Sequence, residues 1–258
     1  MSSSTPTKET PAQQPPEPSK KHPNAPKSTV PPVPLLDTPL SKSLALLRPV
    51  LLLALLAARF GDLVSDPVSA LQYSLPVVAA VQTAYVLACL PVAGGQASKK
   101  PRPGDSRKRA AGGSAHDAIS TAILALLPTA MLTPAIHVLF ILFGAPFLTH
   151  APHTLLCAAH FSLLAVYPAF YTRGTDGQAW LAVASASAPL DETFGALAGA
   201  VLGAWLGAVP IPLDWDREWQ KWPVTILVGL YAGSLLGSAL SGWLFYGKRL
   251  GGTRDEEE

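Results

Sequence analysis

Four side chains able to bind a metal or move a proton fall close together in this chain: His150, His153, Cys157 and His160. Spaced i, i+3, i+7 and i+10, they would share one face of a helix, a strip of the kind that holds zinc. Pro152 interrupts the start of that face, and the first two histidines fall at the edge of an apolar segment. The reading that fits is a pair of interfacial histidines and one buried His160, with no metal. His137, inside another apolar segment, reads as a packed histidine rather than a relay. Two carboxylate pairs remain as acid–base candidates, Asp191 with Glu192 and Asp214 with Asp216. A metal at Asp214 and Asp216 would lack further ligands. The chain has no Gly-rich phosphate loop, no Gly-x-Ser-x-Gly elbow and no His-Glu-x-x-His site. Neither a metal nor a cofactor is expected.

The elements that would position these groups are more informative than the groups. Residues 204–223 form a polar, Trp-rich hairpin between two apolar segments. Pro210 and Pro212 should end the first of these, and Pro223 suits the first turn of the second. Leu213 leads into Asp214, a candidate N-cap. Trp215, Trp219 and Trp222 are spaced i, i+4 and i+7, which predicts one face of a short helix. Asp216, Arg217, Glu218, Gln220 and Lys221 take its other faces. Tryptophans at such a boundary serve as an aromatic belt, or as a docking element for a partner or a lipid-linked substrate. The flanking segments carry glycine ladders: Gly195, Gly199, Gly203 and Gly207 in one, Gly229, Gly233 and Gly237 in the other. Residues four apart lie nearly above one another on a helix, so each ladder strips one face to backbone. Small-residue faces let membrane helices approach closely. Leu197 and Val201, about 180° from the ladder by the 100° helical step, should tolerate other apolar residues.

The chain is 49% hydrophobic and 14% charged, against about 25% charged in soluble domains. Cys89 and Cys157 lie in apolar segments and read as free thiols. Six segments are long enough to cross a bilayer as helices: 44–63, 68–92, 118–143, 152–171, 191–210 and 223–246. The predicted class is therefore all-α, a polytopic membrane protein of about six transmembrane helices in one bundle. Arg48 and Arg59 fall within the first segment and are expected to snorkel to the headgroups. Pro76, Pro128, Pro134 and Pro168 sit within spans as kinks. Residues 1–43 read as a disordered Pro-rich tail, 44–247 as the membrane domain and 248–258 as a charged tail. The basic residues of the tail, of the loop at 93–116 and of the C-terminus would lie on one side. Arg217 and Lys221 stand alone on the other, which predicts both termini in the cytosol. The basic run Lys99–Arg109 is short and lacks interleaved aromatics, so it reads as a topology determinant touching anionic lipid, not as a nucleic-acid site.

From Trp205 to Pro223, with the Pro-Leu-Asp-Trp-Asp core followed by Trp-Gln and Trp-Pro, the sequence resembles the PIG-F family of glycosylphosphatidylinositol (GPI) anchor biosynthesis. Ala188-Pro-Leu-Asp-Glu192 before the fifth span also fits. The resemblance is specific over 185–246 and general over 44–171. It implies an endoplasmic reticulum membrane protein that is the non-catalytic, stabilising companion of an ethanolamine-phosphate transferase. Such enzymes move phosphoethanolamine from phosphatidylethanolamine to mannoses of the GPI precursor, and their catalytic subunit carries the metal-dependent domain. The partners implied are that catalytic subunit and the lipids of the reticulum membrane. No catalytic residue is carried over.

Two other functions compete with this one. An intramembrane enzyme acting on a lipid-linked glycan needs clustered ionisable groups, yet Asp191 and Glu192 fall a full span from Asp214 and Asp216. A lipid or solute translocator needs a polar path, which the fifth and sixth segments hardly offer.

Overall fold

The computed structural model describes residues 30–94, 115–213 and 215–250. Among them the chain is helical, with a single isolated bridge between Pro189 and Arg249. Helix α1 spans Pro39–Ala58, a short α2 spans Phe60–Ser65, and α3 spans Pro67–Cys89. Thr38 and Asp66 cap α1 and α3, each followed by a proline at the first helical position. A proline there forfeits only an amide that has no partner inside the helix anyway. Helix α4 covers Ala115–Leu142 and α5 covers Ala151–Phe161. A π-turn at Ser162–Val166 joins α5 to α6, Tyr167–Arg173, so that 151–173 runs as one rod with the widened turn just before Pro168. The short α7 is Gly177–Ala184, α8 is Glu192–Ala208 and α9 is Val224–Trp243.

Five of these rods are long and apolar enough to cross a membrane, and α8, at 17 residues, falls just short of them. At 1.5 Å per residue α8 is about 25 Å long, and it lies along the longer α9. The chain is a multi-pass, all-α membrane protein. Its outer surface is that of a protein solvated by hydrocarbon. Only Ala122, Ala125, Thr129 and Ile136 of α4 are buried, a narrow face of mostly small residues, while Ile123, Leu127 and Met131 point outward. A helix apolar all round is at home in lipid, where its exposed leucines are not a cost.

The interior has two main apolar regions. One joins Leu52 of α1, Leu71 and Val78 of α3, Cys157 and Leu164 of the fourth rod, and Leu227, Leu230 and Tyr231 of α9. The other gathers Tyr85, Val86 and Cys89 around Tyr167 and Tyr171, and Val33 packs into it. That last contact moves a boundary. Of the tail expected over 1–43, residues 1–29 lie outside the described residues, but 30–38 run along the bundle. Val33 donates its amide to Asp191 Oδ2 (3.1 Å) and Leu36 donates to the Cys89 carbonyl (2.9 Å). Helix α1 then starts at Pro39 rather than 44, because the Thr38–Pro39 pair supplies its cap. At the other end the Leu190 amide donates to the Lys248 carbonyl (2.7 Å) and the Gly247 amide to the Leu190 carbonyl (2.8 Å), returning the chain after α9 to the entry of α8. Residues 95–114 and 251–258, which hold most of the basic loop and of the charged C-terminal tail, also lie outside the described residues.

Candidate functional site

Helices α8 and α9 run antiparallel with their glycine ladders facing each other. A Cβ placed on Gly199 would lie 2.0 Å from the Gly233 carbonyl oxygen, and one on Gly203 would lie 2.0 Å from that of Gly229. Gly195 faces Gly237 at 2.3 Å, and Gly207 faces Thr225 at 2.4 Å. Seen from α9, a Cβ on Gly229, Gly233 or Gly237 would meet the opposing carbonyl at 2.1–2.2 Å. No side chain fits on any of these glycines, and at Gly195 the Ser241 side chain of α9 already fills the space. Backbone meets backbone, the geometry in which dispersion and weak Cα–H···O contacts hold membrane helices together. The ladders are spent on each other, and the pair turns outward a different surface: Val201, Leu202, Trp205, Leu206, Leu236 and Leu240 are all exposed.

The entrance to α8 is polar and buried. Asp191 caps the helix, its Oδ1 accepting from the amides of Thr193 (3.0 Å) and Phe194 (2.9 Å) and from the Thr193 hydroxyl (2.7 Å). Its Oδ2 pairs with Arg173 Nη2 at 2.6 Å, both side chains almost fully buried. Arg173 Nη1 also donates to the Thr193 hydroxyl. Glu192 accepts from the Tyr85 hydroxyl (2.5 Å), and the Arg48 guanidinium lies 4.0 Å over the Tyr85 ring. Here the structure corrects the sequence reading: Arg48 does not snorkel but is 3% exposed inside the bundle. Asp191 and Glu192 stand at the start of α8, the segment end where the sequence put them, and both are buried. In sequence Arg48 falls near the start of its apolar segment, but α1 begins at Pro39 rather than at 44, which sets Arg48 deeper in the helix. Arg59, by contrast, is exposed and pairs with Asp62 at 3.0 Å.

At the opposite end of α8 and α9, the hairpin does not form the expected helix. Only Glu218–Gln220 makes one turn, of 3-10 type, and Asp214 lies outside the described residues. Gln220 holds the loop together. Its Oε1 accepts from the Arg217 amide (2.9 Å), and its Nε2 donates to the carbonyls of Pro210 and Leu213 (2.8 Å each). This leaves the tryptophans on two sides. Trp215 and Trp219 pack with their rings tilted at 58° and centroids 5.7 Å apart, whereas Trp222 turns inward and donates to Thr154 Oγ1 on α5 (3.1 Å). Asp216 is exposed, with positive φ, and Lys221 pairs with Glu218. Helix α8 ends before Pro210 and Pro212, as read from the sequence. Pro223 is the cap of α9 rather than part of its first turn, with a cis bond to Trp222.

The histidine strip is split in the same way. His150 and His153 meet edge to face at 4.9 Å near the start of α5, while His160 is fully buried between Ser74 Oγ (3.1 Å) and the Leu156 carbonyl (2.9 Å). Cys157 and Cys89 are buried free thiols. Among the described residues no three His, Cys, Asp or Glu side chains are grouped as a metal site.

Comparison with known proteins agrees with the segment that carries the packed pair and its hairpin. The family model described as "GPI biosynthesis protein family Pig-F" matches residues 47–242. Glycosylphosphatidylinositol anchor biosynthesis protein 11 of Neurospora crassa is 53% identical over 86% of this chain and 82% of its own length. The protein of the same name from Aspergillus fumigatus is 40% identical over 92% and 91%. The human GPI ethanolamine phosphate transferase, stabilizing subunit, is 36% identical over 44% of this chain and 54% of its own. No solved structure matches. With the family match running from within α1 almost to the end of α9, the chain belongs to the PIG-F family of GPI biosynthesis proteins.

Proposed function

We propose that this protein is the non-catalytic membrane subunit that stabilises an ethanolamine-phosphate transferase of GPI-anchor synthesis in the endoplasmic reticulum. The observation that carries the reading is the α8–α9 pair. Its seam is closed by glycine backbones, and its outward face is broad, apolar and includes Trp205. A pair locked in this way presents a surface with little conformational freedom left to lose, which favours association with another transmembrane helix. The name of the human relative, a stabilizing subunit of GPI ethanolamine phosphate transferase, supports the same role. In this arrangement the catalytic metal site belongs to the partner, the termini face the cytosol and the Gln220-stapled hairpin faces the lumen.

The test is purification of the tagged full-length chain in mild detergent. A large transferase should co-purify in stoichiometric amount, and Asp216→Asn should leave turnover per assembled complex unchanged. Transfer of phosphoethanolamine by the chain alone would replace this reading with the intramembrane enzyme. Glycosylation acceptors inserted near Gly104 and near Arg217 test the orientation, modification being expected only near Arg217.

A further inference from the structure

Arg48 is a cation that the described residues satisfy only in part. It sits about 14 Å along α1 from Pro39, is 3% exposed, and among the described residues has no hydrogen-bond partner at Nε or Nη2. A guanidinium does not escape burial by losing its proton, and a buried charge without hydrogen bonds is among the least favourable states of a side chain. The Tyr85 ring covers its face but offers no acceptor to its edge.

Arg48 lines a cavity of about 110 Å³ between α1, α8 and α9. Glu192 lines the same cavity from α8, and Ser238 from α9. The placement of Glu192 is built in. A Cβ on Gly242 would lie 2.5 Å from its Cγ, so only glycine leaves space for it. Its Oε2 accepts from Tyr85, while Oε1 accepts no hydrogen bond from any described residue. The rim includes Leu46, Ala239 and Trp243, all exposed and apolar, so the cavity opens toward lipid.

We propose that this cavity holds the headgroup of a zwitterionic membrane phospholipid, its phosphate on the free edge of Arg48 and its amine beside Glu192 Oε1. A guanidinium edge is well matched to phosphate oxygens. One fixed positive and one fixed negative charge balance a headgroup that carries one of each. A headgroup such as that of phosphatidylglycerol brings the phosphate without the amine and leaves the Glu192 charge unbalanced, which is how a site rejects the wrong ligand. The apolar rim assigns the ligand to the membrane rather than to water. The site stands whether or not the subunit reading holds, because it concerns lipid held by this chain itself.

The experiment is native mass spectrometry of the purified full-length chain after exchange into nanodiscs containing equal phosphatidylethanolamine, phosphatidylcholine and phosphatidylglycerol. One phospholipid should be retained, with the two zwitterionic lipids preferred about tenfold over phosphatidylglycerol. Arg48→Gln should lose the retained lipid, and Glu192→Gln should erase the discrimination against phosphatidylglycerol. Ser238→Leu should fill the cavity, losing the lipid with both charged groups and the melting temperature kept. The wild-type selectivity needs no variant, so a misfolded Arg48→Gln leaves the proposal exposed to test. No retained lipid, a preference for phosphatidylglycerol, or retention unchanged in a folded Arg48→Gln would overturn it. So would occupancy by soluble O-phosphoethanolamine without any retained lipid, which would assign the cavity to a water-soluble phosphate ester.

Discussion

Gly203 and Gly229 face each other so closely that a Cβ on either would lie 2.0–2.1 Å from the carbonyl oxygen of the other. Real Cβ atoms do not approach that near, so the separation of α8 and α9 is set by backbone alone. Every rung of the two ladders repeats the constraint. The pair therefore behaves as one stiff unit in which the hairpin at one end and the Asp191 network at the other keep fixed positions.

The glycine seam should fail at the smallest possible substitution. Gly203→Ala is expected to lower the melting temperature of the detergent-solubilised protein, with a loss of about 1–3 kcal/mol or more from overpacking against backbone that cannot yield. Membrane insertion should be unaffected. Val201→Leu is the control, because Val201 is exposed. Leu197, which the helical angle alone also placed outward, packs against two apolar clusters and is not neutral. Equal melting of Gly203→Ala and wild type would contradict the close contact.

Removing one member of the buried Arg173–Asp191 pair should cost more than removing both. Arg173→Met leaves a carboxylate buried opposite an apolar chain, a change of about 3–5 kcal/mol. Asp191→Asn should be milder than Asp191→Ala, since the amide oxygen can still cap α8. A double-mutant cycle in thermal melting, including Arg173→Met with Asp191→Asn, measures the coupling. Additive single effects would show that the 2.6 Å pair contributes nothing of its own.

Asp66 gives a pH dependence with a definite sign. Hydrogen bonding from the side chain and then the amide of Ser69 holds its carboxyl below the ordinary 3.8. A carboxylate with a depressed folded value adds stability above its unfolded value and loses it as pH falls through the folded one. The contribution should thus be constant from neutral pH to about 4 and decline below that. Asp66→Asn should melt below wild type at neutral pH, with the difference closing under strong acid. A difference that widens as the pH drops would reverse the assignment.

Gln220 should matter more to the hairpin than any of its tryptophans. Gln220→Ala deletes three hydrogen bonds, each worth about 0.5–1.5 kcal/mol net. Gln220→Glu should be nearly as disruptive, because a carboxylate cannot donate to the Pro210 and Leu213 carbonyls. Limited proteolysis within 211–222 checks both, with faster cleavage expected in each variant. Resistance equal to wild type would mean that the loop is held by the contact of Trp215 with Trp219 instead.

The helices, their apolar surfaces and the two ladders were legible in the sequence. Length, hydropathy and a four-residue glycine repeat are local properties that a helix converts directly into a face. The Trp hairpin was legible as a boundary but not as a shape. Spacing alone favoured a helix, whereas Gln220 satisfies the backbone of a turn and lets Trp222 reach Thr154, a contact across 68 positions. The polar interior was not legible, because Arg48, Tyr85 and Glu192 come from three separate helices. In sequence each reads as an isolated polar residue near a segment end, and only packing decides whether such a group meets lipid headgroups or other side chains. What the sequence determined by itself was which residues could form close helix faces. Tertiary structure decided that the ladders close on each other, since two complementary backbones on adjacent antiparallel helices meet at the smallest entropic cost of loop closure.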